Sequence, residues 1–237
     1  MSSPRLSLPA LPPAVVLLDL DGTLTDSAPG ITASLRAALT EAGFPVPDDA
    51  GLRRFVGPPL PLMLRQSGVP ADRVDELVAT YRRHFTAGGM FDNAVFPGIP
   101  EAMDALAAAG ATLAVATSKP EVYARQIAEH FGLDAHLTHG VDGVFGADAD
   151  QGARSGKAEV VAHALATLAS RGVATGPATT VMVGDREHDV LGAGRHGIAT
   201  VGVAWGYAEP GELEAAGAVA VVATPAELVT LLRGGRR

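Results

Sequence analysis

No cysteine occurs among the 237 residues. Disulfide cross-links and thiolate chemistry are therefore excluded, and a reducing cytosol is the simplest home for such a chain. Aromatic residues are scarce at 5%, with one tryptophan. Trp205 and its neighbour Tyr207 follow a late apolar segment and read as packing side chains rather than a ligand platform. Long apolar runs are missing too, so no stretch suits a membrane span. The opening MSSPRLSLPALPPA carries four prolines in 14 residues, and its apolar positions are too interrupted for a signal-peptide core. Residues 1–14 read as a flexible lead-in. Basic residues are outnumbered, 18 Lys and Arg against 26 Asp and Glu, for a net charge of −8. Such a surface repels a phosphate backbone, so nucleic acid is not an expected partner, although a local basic pocket is compatible with it. What remains is 47% hydrophobic and 19% charged, the balance of a soluble globular protein long enough to bury a sizeable core.

The chain alternates. Apolar strand patterns over 15–20, 112–116, 143–146, 179–183, 199–203 and 219–222 are separated by helical patterns over 98–109, 120–131, 157–170, 187–196 and 225–233. Repeated βα units imply a parallel sheet covered by helices on both faces. The exception lies between residues 27 and 92, where only helical patterns occur, over 31–42, 48–56, 60–67 and 71–86. Pro29 sits near the start of the first, with Asp26 and Ser27 as candidate capping side chains. The expected fold is α/β, a doubly wound parallel sheet with a Rossmann-like core (residues 15–26 and 93–237) and an inserted all-helical cap (residues 27–92).

Three strand ends carry polar clusters. In VVLLDLDGTLTDS a buried strand delivers Asp19 and Asp21 beyond its last apolar residue and turns at Gly22. Ligands of open α/β sheets bind beyond such carboxyl ends, and two acids there need a cation or a proton to offset their burial. An isolated DxDG also reads as a simple turn. In TLAVATSKP, Thr117 and the Ser118 amide are placed to hold an anion at a helix start, or merely to cap that helix. Lys119 either reaches substrate or is solvated. In TVMVGDREHD, Asp185 follows a strand and Asp189 lies one helical turn on, where a carboxylate also suits the helix dipole. Lys157 opens the helix 157–170, an unfavourable place for a cation unless an anion faces it. The seven histidines show no i, i+4 metal-ligand spacing.

These motifs, in this order, resemble the haloacid dehalogenase superfamily, in particular its phosphoglycolate phosphatase-like branch, over about residues 15–229. FDNAVFPGI, ATSKP, VGDREHDVLGA and GVAWGY carry the closer likeness. The resemblance implies that Asp19 is a nucleophile forming an aspartyl-phosphate and that Asp21 is the acid and base. It implies that Thr117 holds phosphate and that Lys157 pairs with both phosphate and Asp19. It further implies Mg²⁺ held by Asp19, Asp185 and the Asp21 main-chain carbonyl, with Asp189 in the outer shell through a bound water. The loop before Lys157, with Arg154 and Ser155, departs from the family's length.

The expected activity is hydrolysis of a small-molecule phosphomonoester, without nucleic acid or membrane partners, by a monomer or homodimer in the cytoplasm. Substrate contacts are expected from Ser118, Lys119 and, in the cap, Arg54 with its neighbour Arg53 before the Gly57-Pro58-Pro59 turn. Alternatives are a 5′-nucleotidase or pyrophosphatase of the same branch, a phosphomutase, or a non-catalytic phosphate-sensing module.

Overall fold

The computed structural model describes residues 6–149 and 152–235, so residues 1–5 of the lead-in lie outside it. The chain runs β1 (Val15–Leu18), α1 (Ala28–Glu41), α2 (Asp49–Arg53), α3 (Leu60–Gln66), α4 (Val74–His84), α5 (Ile99–Ala108), β2 (Thr112–Pro120), α6 (Glu121–His130) and β3 (Val144–Ala147). It continues α7 (Lys157–Ser170), β4 (Thr180–Gly184), α8 (Glu187–Gly194), β5 (Ala199–Val203), α9 (Glu212–Ala216), β6 (Ala220–Val222) and α10 (Pro225–Leu232). All strands pair in parallel in the order β3-β2-β1-β4-β5-β6. This is the doubly wound, Rossmann-like topology.

Alternation along the central strand builds two layers. Val16 and Leu18 face a cluster with Met103, Ile127 and Leu228 of α5, α6 and α10; Val15 and Leu17 face one with Val161, Leu168 and Ala193 of α7 and α8. A third cluster joins Leu35 and Leu39 of α1 to Leu52, Leu64 and Leu77, which gives the inserted helices an apolar core of their own. Among the described residues no helix is long and apolar enough to cross a membrane.

Several boundaries differ from the sequence reading, each for a local reason. β1 stops at Leu18 because the Leu20 carbonyl gathers the amides of Thr23, Leu24 and Thr25 into a tight turn. β2 runs on to Pro120 because its end pairs with Ala147. The helix expected over 48–56 shortens to α2, and the one over 71–86 begins as a 3₁₀ turn and ends in a wide turn at Phe85–Gly89. The capping expectation for α1 fails. Ser27 occupies the cap position without a side-chain bond, while the Ala28 amide donates to the Tyr207 hydroxyl, which itself donates to Asp26.

The two crossings into and out of the inserted helices run side by side. Thr25 and Val95 form an antiparallel bridge, Asp26 N–H donates to the Ala94 carbonyl, and Phe96 N–H donates to that of Leu24.

Candidate active site

The carboxyl ends of β1, β2 and β4 converge where the strand order reverses, the place an open sheet offers a ligand. Asp19 leaves β1 with its amide bound to the Val183 carbonyl of β4 at 2.9 Å. Gly22 then turns with φ +82°, and a Cβ there would strike the Asp185 carboxylate and the Tyr207 ring. Only glycine permits that conformation and that approach together.

Lys157 is the centre of the charge arrangement. Its Nζ lies 2.7 Å from Asp19 Oδ1 and 2.7 Å from Asp189 Oδ1, and it donates to the Ala116 carbonyl at 2.8 Å. The cation that seemed misplaced at a helix start is buried against two anions. Burial alone would lower the Lys157 ammonium, but Asp189 and Asp19 outweigh it and hold it above the ordinary lysine value. Asp189 Oδ2 also accepts the Arg186 amide at 3.1 Å, satisfying a main-chain donor at the start of α8.

Asp185 is wholly buried, accepting from the Thr23 hydroxyl at 3.2 Å and from the Tyr207 amide at 2.8 Å. Burial, then Asp189 and Asp19, pushes its carboxyl well above the usual range. Burial also pushes Asp19 up to about 6, with Lys157 opposing and Asp189 adding. Asp19, Asp185 and Asp189 each present an oxygen within 4.8 Å of the others. Ionised together, these three buried carboxyls exceed the charge of one lysine, and an oxygen-only donor set of this kind fits a hard divalent cation such as Mg²⁺.

Asp21 stands beside this cluster and faces a cavity of about 470 Å³ roofed by the inserted helices. Lys119 Nζ holds Asp21 Oδ2 at 2.8 Å, while Asp21 Oδ1 and the Ser118 hydroxyl are buried without partners. Thr117 is buried at the same strand end, its hydroxyl accepting the Lys119 amide at 3.3 Å rather than capping α6. Asp19, Asp21, Thr117, Ser118, Lys119, Lys157, Asp185 and Asp189 thus share one pole of the sheet.

Residues 16–203 match the family described as haloacid dehalogenase-like hydrolase. The chain belongs to that family. Among relatives of this hydrolase, the 5′-nucleotidase of Pseudomonas aeruginosa is 45% identical over 201 residues, covering 84% of this chain and 86% of its own. Tyrosine-protein kinase PtkA of Mycobacterium tuberculosis is 46% identical over 203 residues, 86% of this chain but 66% of that longer protein. More distant relatives bear the name phosphoglycolate phosphatase, that of Agrobacterium fabrum at 32% over 202 residues, 82% of each chain. The crystal structure of a predicted phosphatase from Clostridium acetobutylicum superposes with a TM-score of 0.85 at 37% identity, covering 95% of this chain and 99% of that one.

The cap arginines of this hydrolase do not line the cavity beside Asp21. Arg53 and Arg54 line a separate concavity with Asp49, Arg186 and Glu209, away from the cavity that Asp21 faces. Arg54 lies exposed, 3.8 Å from Glu209, and Arg53 sits 6.0 Å above the Tyr207 ring. Helix α2 turns its arginines outward because Leu52 and Phe55 face the cap's apolar core. The cavity wall comes instead from Arg65, Tyr81, Arg82 and Phe85 of the cap and Tyr123 of α6. Tyr81 and Phe85 stand four apart on a helical pattern, a spacing that marks a shared face but not what it faces. Nothing in the sequence singled out Arg65 or Arg82 from other helix arginines.

Arg186 was also missed. Its Nη1 donates to the Val56 carbonyl of the cap at 2.7 Å, and its Nε to Glu212 at 2.8 Å. The core thereby grips the cap next to Gly57-Pro58-Pro59. The loop before Lys157 is fixed by Arg154, which forks onto Asp148 and reaches Glu121 at 2.9 Å.

Proposed function

We propose that this hydrolase is a Mg²⁺-dependent phosphatase that cleaves small phosphomonoesters through an aspartyl-phosphate, with residues 27–92 as its cap on a core of 15–26 and 93–237. The observation that carries the reading is Lys157 bridging Asp19 and Asp189 at 2.7 Å each, beside the buried Asp185. In this reading an Asp19 oxygen attacks phosphorus and the bond to the leaving oxygen breaks. Asp21 gives that oxygen its proton, and the alcohol departs. Asp21 then takes a proton from a water that attacks the aspartyl-phosphate, releasing inorganic phosphate and restoring Asp19. Thr117 and the Ser118 amide hold phosphate oxygens, and Lys157 neutralises both them and Asp19. Asp19, Asp185 and the Asp21 carbonyl would hold Mg²⁺, with Asp189 behind them; bound there, it supplies charge neutralisation on the transferring oxygens.

The cap overhangs the cavity, and its closure over bound substrate would exclude water from the first half-reaction. A second reading concerns the substrate. A cavity of about 470 Å³ walled by Tyr81, Phe85 and Tyr123 is larger than a two-carbon acid needs and favours a leaving group of nucleoside size. The 45% identical relative named 5′-nucleotidase supports the same choice over phosphoglycolate.

The test is phosphate release over a panel of 2-phosphoglycolate, nucleoside 5′-monophosphates, pyrophosphate and sugar phosphates, with Mg²⁺ and with EDTA. Release that depends on Mg²⁺ is expected. Isomerised sugar phosphate without free phosphate would point to a mutase. No turnover of any member would leave a phosphate-binding module.

A further inference from the structure

Lys119 is almost wholly enclosed, and so is the carboxylate it pairs with, Asp21, at 2.8 Å from Nζ to Oδ2. The ammonium also faces the ring of Phe85, with Nζ 4.8 Å from the centroid. Phe85 belongs to the cap, at the start of the wide turn after α4. It is fixed in turn by stacking on Tyr81 at 5.5 Å and by an edge contact with Tyr123 of α6 at 5.8 Å. Meanwhile Asp21 Oδ1 is buried and has no partner. One oxygen of this carboxylate is paired and the other is bare.

That asymmetry gives the carboxylate an aim. A free aspartate rotates between staggered side-chain positions and a broad terminal torsion. An ammonium on Oδ2 in an enclosed, low-dielectric setting removes that freedom. The ammonium is itself a flexible point charge on a four-carbon stem, so it needs a second anchor, and an aromatic face provides one. We propose that Lys119 is a positioning residue for Asp21. It clamps Oδ2 so that Oδ1 is the oxygen offered to the leaving group, and Phe85, from the cap, holds Lys119 in that place. The acid is therefore aimed jointly by the two lobes, and an open cap leaves it unaimed. This inference rests on the reading of Asp21 as the proton donor.

The experiment measures kcat/KM of the Mg²⁺-loaded enzyme over phosphomonoesters whose leaving groups run from p-nitrophenol to simple alkyl alcohols. A p-nitrophenolate departs without a proton, whereas an alkoxide needs one, and kcat/KM reports the first half-reaction alone. General-acid assistance is worth on the order of a hundredfold or more where it is needed. Lys119→Met should therefore lose about tenfold or more activity on alkyl esters beyond its loss on p-nitrophenyl phosphate. Phe85→Leu should fall in the same direction by less, and the double variant should be no worse than Lys119→Met alone, because both act through one carboxylate.

Equal losses across the series would overturn the proposal in favour of a purely structural ion pair. A change confined to KM would overturn it in favour of direct substrate contact. Asp21→Asn separates the two levels. If it shows the leaving-group dependence and Lys119→Met does not, the clamp fails while the acid assignment stands. If Asp21→Asn is flat across the series, the acid assignment fails and the clamp with it. Should Lys119→Met not fold, Phe85→Leu decides, since it keeps the ion pair and removes only the aromatic face.

Discussion

Asp19 is the residue on which most depends. Asp19→Asn keeps size and shape but removes the attacking oxygen anion, so turnover should fall by several orders of magnitude, with an unchanged circular dichroism spectrum. Activity within about tenfold of the parent would rule out covalent catalysis at this position. The arginines of α2 supply the opposite expectation. An exposed ion pair such as Arg54–Glu209 contributes about 0–1 kcal/mol, so Arg53→Ala and Arg54→Ala should shift kcat/KM by less than about fivefold on any substrate. A selective loss larger than that would bring them back to the substrate site. The aspartates were legible because an apolar strand ending in acids has few explanations. The direction of the cap arginines was not legible because a residue's neighbours in sequence do not give it: Leu52 and Phe55, by entering the cap's core, send Arg53 and Arg54 the other way. Beyond the family resemblance, Lys157 was legible through its oddness, a cation at the positive end of a helix.

At the scale of elements, alternating patterns revealed every strand and the helical insertion, since burial on two faces leaves a mark that local sequence carries. Ends were less readable because they depend on partners distant in the chain. β2 extends as far as β3 supports it, and α1 is capped by a tyrosine 179 residues further along the chain. Tyr207→Phe tests that last contact. It leaves the Ala28 amide without its acceptor and Asp26 without a donor, at a cost of about 1–3 kcal/mol. Urea unfolding should show that loss with an unchanged m-value. Stability equal to the parent would mean that water replaces the hydroxyl at no cost. Turnover is the second readout: the Tyr207 main-chain amide, which holds Asp185, is untouched by the substitution, so kcat should change far less than stability does.

For the whole molecule, the acid cluster is a liability that a cation removes. Asp19 is held at about 6 by burial, and Asp185 well above the carboxylate range. A carboxyl whose folded value lies above its unfolded one stabilises the fold fully at pH below the unfolded value, and that contribution is lost as pH rises through the folded value. The metal-free protein should therefore lose melting temperature as pH goes from about 5 to about 7.5. If the proposed site holds Mg²⁺, the ion would bind the ionised carboxylates of the folded state, so its stabilising shift should grow over the same interval. Differential scanning calorimetry with Mg²⁺ and with EDTA checks both slopes. A Mg²⁺ shift that stays constant across that range would move the cation away from Asp19 and Asp185.

The pairing of Thr25 with Val95 has a consequence for descent as well as for motion. Paired antiparallel strands keep opposed Cα atoms about 5 Å apart, so the ends of the insertion meet almost where an uninterrupted chain would pass. Whatever lies between residues 26 and 94 can lengthen, shorten or be exchanged without shifting the register of β1 against β2 and β4. The sheet and its acids are in that sense a socket, and the helices above them a replaceable fitting. Selectivity can then change by substitution of a whole segment, while Asp19, Lys157, Asp185 and Asp189 stay in place beneath it, and a new segment has only to supply a hold on Lys119 such as Phe85 gives.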